Sequence, residues 1–226
     1  MFNVVRSKTI PESLLAQRSY SDPDVLEALN EAFHGKCYMC ETKEPLSLNV
    51  EHFQAHQGCS VKKFEWVNLY YSCGRCNNFK RHHYDDILDC ADLNCDVLRL
   101  IKHTPPVTPY AKISIQAMED DPKAVRTAEL LTRIFNEDDT GNKAIVSTHL
   151  RKRVYKRFAK VIEHINVYID DDQLPAARKL AVEHLKALMD VKQEYSAFLR
   201  WVVIDSPPLY DLLKDSINLY EVTDNP

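Results

Sequence analysis

Four cysteines in two Cys-x-x-Cys turns, Cys37 with Cys40 and Cys73 with Cys76, offer the donor set of a tetrahedral metal site. Each turn presents two sulfurs from one tight loop, a spacing that suits Zn2+. Four sulfurs leave no coordination position for water or substrate, so such a zinc ion is expected to be structural. Between the turns lie Glu51, His52 and Asn68, and the second turn runs straight into Asn77. These residues match what hydrolysis of a phosphodiester requires. A neutral imidazole, with an ordinary pKa near about 6.5, can take a proton from water. The Glu51 carboxylate and the Asn77 amide oxygen suit a hard cation such as Mg2+, which usually takes one or two protein ligands and keeps its waters.

Composition bounds the reading. With 226 residues, 45% of them hydrophobic, the chain can bury a sizeable core in one large domain or two small ones. No stretch approaches the roughly 18 apolar residues of a membrane span, and the first residues lack the pattern of a secretory leader, so no membrane and a cytoplasmic location are expected. Seven cysteines, an odd number, favour a reducing compartment and a metal site over a disulfide framework. Cys59, Cys90 and Cys95 have no such pairing and read as incidental or buried thiols. A net charge of −4 argues against a generic polyanion binder, so contact with nucleic acid must come from a local basic surface. One basic cluster, Arg75, Lys80, Arg81, His82 and His83, adjoins the candidate site; Lys80, Arg75 and Arg81 are its expected phosphate contacts. A second cluster, Arg151, Lys152, Arg153, Lys156, Arg157 and Lys160, suits a phosphate backbone as well as it suits a solvated helix face or a docking surface for an acidic partner.

The elements that must position these residues follow from pattern. Ser21-Asp22-Pro23 opens a helix carrying Val25, Leu26, Leu29 and Phe33, which ends near Gly35. Residues 46–54 and 67–71 read as strands, and a helix is expected after Cys76. The three prolines of 102–109 read as a linker or turn region. Beyond it the pattern is helical: 122–136, then a stretch opened by Asp139-Thr140 and running to 169, then 174–204, closed by Pro207-Pro208. The acidic run Asp170-Asp171-Asp172 is expected to cap or separate two helices.

The words NVEHF and WVNLYYSCGRCNNFK resemble the HNH endonuclease family. HGKCYMCETK, the NL-x3-C-x2-CN block, the ILD segment at 87–89 and TAELLTRIFN at 127–136 extend the likeness to its retron-associated branch, which serves Septu-type anti-phage defence. The resemblance implies an α+β fold, with a small zinc-stapled ββα-metal unit followed by a mainly α-helical C-terminal half. Its expected divisions are an N-terminal arm and helix (1–36), a four-cysteine zinc HNH nuclease unit (37–101) and a helical partner- and substrate-binding region (102–226). It further implies His52 as general base, Asn68 as a brace for the connecting loop, and Glu51 and Asn77 as ligands of a catalytic Mg2+ or Mn2+. The implied partners are a nucleic acid substrate, an ATPase of PtuA type and, in a retron setting, the reverse transcriptase and its DNA.

Two features depart from the family pattern. Glu51 stands where aspartate is commoner, and Gln54-Ala55-His56 follows the EHF word. Neighbours on a regular strand also point to opposite faces, so Glu51 and His52 can share one centre only where the strand bends or ends. The rival reading is a zinc-stapled module that binds nucleic acid or protein without turnover, in which Asn68 is a turn residue and Asn77 a helix cap.

Overall fold

The computed structural model describes residues 1–138 and 146–217, an α+β arrangement of helices and two small antiparallel sheets. Two helices lead in: α1 (Glu12–Leu15) and α2 (Pro23–Ala32), the latter with proline at its first turn. Gly35 closes α2 at φ 68°, its N–H reaching the Asn30 carbonyl at 2.8 Å, a left-handed step that favours glycine. Strand β1 (Leu48–His52), the short helix α3 (Ser60–Phe64), strand β2 (Leu69–Cys73) and helix α4 (Gly74–Lys80) follow. The strands pair antiparallel from Leu48 opposite Cys73 to His52 opposite Leu69. The second strand starts later than its β-forming run at 67 suggests, because Trp66–Asn68 form a 3-10 turn that carries Asn68 into the preceding loop. Every residue of β2 is buried and α2 packs against it, so this strand is the floor on which the site is built.

Of the expected linker or turn region at 102–109, the prolines do lie in a turn, but the region's first residues belong to a strand. Ile101–Thr104 is strand β3, entered from α5 (Val97–Leu100) and paired antiparallel with β4 (Ser114–Ala117). The expected boundary between 101 and 102 therefore falls inside a strand. Pro105, Pro106 and Pro109 lie in the loop joining the pair, where a missing N–H removes no ladder bond. Helix α6 (Pro122–Asn136) starts on an Asp121 side chain that accepts from the Ala124 N–H at 2.8 Å. Helix α7 spans Ser147–Ile169; Asp139-Thr140, its expected opening, lies outside the described residues. Asp170–Asp172 separate it from α8 (Pro175–Met189). The expected 174–204 helix is two, because Asp190 ends α8 and Tyr195, at φ 58°, sets a new direction for α9 (Ser196–Ile204). Pro207 ends that run but also begins α10 (Pro207–Ile217).

The N-terminal arm and the helical half are not separate from the cysteine-bearing unit. One core runs from Met1 and Phe2 through Tyr38 and Tyr70 to Leu131, Val154 and Phe198. A polar cluster is sealed within it. The Lys36 ammonium bonds Glu41 Oε2 at 3.2 Å, the Gln193 carbonyl at 3.0 Å and Ser196 Oγ at 3.3 Å, while the Met1 ammonium lies 3.3 Å from Glu41 Oε1. Desolvation would raise the Glu41 carboxyl, yet Lys36 and the Met1 ammonium hold it well below the usual carboxylate range. His103 completes the cluster, donating from Nδ1 to the Ile101 carbonyl at 2.9 Å and accepting at Nε2 from the Met1 ammonium at 2.9 Å.

Burial, then the adjacent ammonium, lower the His103 pKa to about 3. The unfolded chain binds this proton below about pH 6.5 and the folded chain does not, so stability is full above that pH and falls as pH drops toward about 3. Between about pH 6.5 and pH 5 the loss should reach about 2 kcal/mol at one unit per 1.36 kcal/mol. Thermal melts across that range check this: His103→Gln should flatten the decline, and equal slopes for both proteins would contradict it.

Candidate metal centre and adjoining cleft

Helix α4 begins on a cysteine. Cys73 ends β2 and serves as N-cap, its Sγ accepting from the Cys76 N–H at 3.5 Å, so strand, turn and helix are tied by the sulfurs themselves. The positive helix N-terminus favours thiolate there. The cap role open to Asn77 is thus taken by Cys73. Gly74 between the two cysteines packs closely on Ser47, whose Oγ would lie 2.7 Å from an added Cβ and would have to move. The first turn is held against the second by the Tyr38 N–H bonding the Tyr71 carbonyl at 3.0 Å.

All four sulfurs are buried and lie within 4.8 Å of one another. A tetrahedron with Zn–S near 2.3 Å has edges of about 3.8 Å, and Cys40 Sγ to Cys73 Sγ measures 3.8 Å. Hydrogen bonds with Cys37 and Cys40 hold the Cys73 thiol well above its ordinary pKa, and burial does the same for Cys76. Cys37 lies well below its ordinary value, desolvation being outweighed by hydrogen bonds from Cys40, Cys73 and Cys76; a bound cation would favour the thiolate form of all four. The buried four-cysteine group can hold a structural metal such as zinc.

Beyond the β1–β2 pair, Tyr20, Glu51, His52, His56, Asn77 and Arg81 line an open cleft of about 670 Å3. Glu51 and His52, though strand neighbours, reach the same cleft because β1 ends at His52. His52 Nε2 lies 3.1 Å from the Lys63 carbonyl. A carbonyl only accepts, so Nε2 carries the hydrogen and Nδ1 keeps a free lone pair. Desolvation, with a smaller contribution from His56, keeps the His52 pKa below the ordinary imidazole value against the opposing Lys63 bond. The Tyr20 ring stands edge-on to His52 at 4.9 Å between centroids and the His56 ring lies at 4.6 Å, fixing the imidazole between them.

Asn68 sits under the loop that follows β1. Its Oδ1 accepts from the Gln54 N–H at 2.7 Å, and its Nδ2 donates to the Gln54 carbonyl at 3.0 Å and to the Lys62 carbonyl at 2.9 Å. The Phe53 N–H bonds the Asn68 carbonyl at 2.8 Å. One buried side chain thereby closes the 53–68 loop across its neck. Asn68→Ala should lower stability by about 2 kcal/mol, the usual cost of stranding such groups, measured by urea denaturation. Asn68→Asp should not restore it, since a carboxylate would face two carbonyls; a wild-type midpoint for Asn68→Asp would contradict this.

Two expected phosphate contacts are corrected. Arg75 is buried and donates to the Ile134 carbonyl at 2.7 Å and to the Glu137 carbonyl, fastening α4 to the end of α6. Lys80 is wholly buried, 3.1 Å from Glu51 Oε1 and 3.3 Å from Asp85 Oδ1, and also bonds the His52 carbonyl at 3.3 Å. Both cations hold the fold and do not face solvent. Arg81 is exposed on the cleft, where its backbone takes φ 44°. On α7, Arg151 is buried while Lys152, Lys156 and Lys160 recur at four-residue steps along one face.

Desolvation pushes the Glu51 pKa up to about 7 despite the opposing Lys80 ammonium. Among the described residues, Lys80 is the cation bonded to this carboxylate, through Oε1. Glu51 and Asn77, each an oxygen donor by type, both line this cleft.

Two contributors carry no sequence signal, and a third, His56, is one whose role the sequence leaves open. Tyr20 reaches His52 from far along the chain, and Asp85 joins α4 to the loop by accepting from the Ala55 N–H at 3.1 Å. His56 carried the one local signal, a second imidazole four residues after His52. Compared with known proteins, the chain matches no family model and no curated protein.

Proposed function

We propose that this chain is a metal-dependent HNH endonuclease that hydrolyses phosphodiester bonds of nucleic acid, with DNA favoured and RNA the second candidate. The observation that supports this reading is the convergence of Glu51, His52 and Asn77 on one cleft with the lone pair of His52 Nδ1 left unused. His52 takes a proton from the attacking water at Nδ1 while the Lys63 carbonyl steadies the imidazolium through Nε2. As the water oxygen bonds phosphorus, the bond to the leaving oxygen breaks. Mg2+ or Mn2+, held by the Glu51 carboxylate and the Asn77 amide, would neutralise charge on the phosphate. Zinc in the four-cysteine group is structural. The lysine row on α7 then serves substrate or the ATPase partner of an anti-phage defence complex.

The second reading, a zinc-stapled binding module, draws on Lys80, whose ammonium already sits against Glu51. Glu51→Ala and Asn77→Ala separate the two. Both variants should keep zinc and nucleic-acid affinity while losing cleavage by about 100-fold or more, in line with loss of a charge-stabilising group. Full cleavage by both would remove the proposed ligand pair.

A further inference from the structure

We propose that His56 is a second substrate-contacting imidazole of the cleft, whose Nε2–H donates to a non-bridging oxygen of the bound phosphodiester. This rests on the hydrolase reading and adds to it a residue and a ligand atom. His52 and His56 are in ring contact at 4.6 Å between centroids with their planes 61° apart, and both line the same cleft. Their backbone bonds are of opposite sense. His52 uses its ring hydrogen on the Lys63 carbonyl and presents a lone pair. His56 accepts the Gly58 N–H at Nδ1, 3.1 Å away, so its ring hydrogen is on Nε2 and it presents a donor.

The turn is built for that bond. Gln57 at φ 44° and Gly58 at φ 87° are both left-handed, which folds the Gly58 N–H back onto the His56 ring. A Cβ on Gly58 would meet nothing within 4 Å, so the glycine is required by backbone conformation and not by crowding. An acceptor and a donor side by side match the two things a phosphodiester undergoing attack presents, a water to be deprotonated and an anionic oxygen to be held. Arg81, exposed on the same cleft, supplies positive charge to that phosphate.

The test compares His56→Phe, which keeps a ring against His52 but has no N–H, with His56→Gln, which keeps a donor. Each full-length protein is assayed for cleavage of a fluorescent oligonucleotide in Mg2+ and for binding to it by anisotropy in EDTA concentrations that leave zinc bound. His56→Phe should weaken binding about 5-fold and lower kcat/KM at least about 10-fold, the size of one hydrogen bond to an anion. Zinc content and Tm should match wild type, and His56→Gln should lie within about 3-fold of it. Wild-type binding by His56→Phe, or a His56→Gln as impaired as His56→Phe, would overturn the assignment. An absence of cleavage by wild type would instead reject the hydrolase reading, and the binding arm alone would then decide His56.

Discussion

Cys76→Ser, or prolonged treatment with a strong chelator, should unfold the segment from Cys37 to Lys80 and abolish the cleft. The reason is that strand, turn and helix of this segment are tied to one another through the four buried sulfurs. A two-stranded sheet is marginal by itself, and α4 is a seven-residue helix. Structural zinc contributes roughly 10–16 kcal/mol of apparent binding energy in small domains, far more than such elements gain by pairing. Damage should spread, because the first cysteine turn is bonded to α9: Ser196 Oγ donates to Glu41 Oε2 at 2.9 Å, and Thr42 Oγ1 lies 3.1 Å from the Tyr195 hydroxyl. Zinc analysis with circular dichroism checks this. The expected result is loss of one zinc per chain together with helical signal; a zinc-free protein that melts like wild type would show that packing alone suffices.

His52→Ala should leave that frame intact and remove turnover. Positioned general bases contribute typically about 10²–10⁴ in rate, so kcat should fall by that factor while KM changes little. His52 is half-buried and its contacts are one carbonyl bond and two ring edges, so Tm should move only slightly. His52→Gln gives the sharper control: its amide N–H can still reach the Lys63 carbonyl but offers no comparable base. It should be as inactive as His52→Ala, and substantial activity in His52→Gln would mean that the ring matters for packing and not for proton transfer.

What could be read beforehand was local. The cysteine turns, the first strand, the helix after Asp22-Pro23 and the helix after Asp121-Pro122 announce themselves through spacing, caps and periodicity within a few residues. The second hairpin did not, because the prolines that signal a break also fit the loop between two strands. Residues 174–204 read as one helix because apolar residues keep helical spacing across Asp190 and Tyr195, where the backbone turns. Cation roles were the least legible. Arg75 and Lys80 carry the same charge as Arg81 and adjoin it, and only the approach of the α6 carboxyl end, Glu51 and Asp85 turns the first two inward. His52 could be singled out from its neighbours in sequence, whereas the bond that fixes its tautomer comes from the Lys63 carbonyl across the loop.

The most direct measurement is internal cleavage of end-labelled single- and double-stranded DNA and RNA by wild type and His52→Ala, each with Mg2+ or Mn2+ and with the divalent ion withheld. The account predicts new internal ends from wild type on at least one substrate, only when the ion is supplied, and at least about 100-fold fewer from His52→Ala. Equal cleavage by both proteins, or none by wild type on any of the substrates, would contradict it.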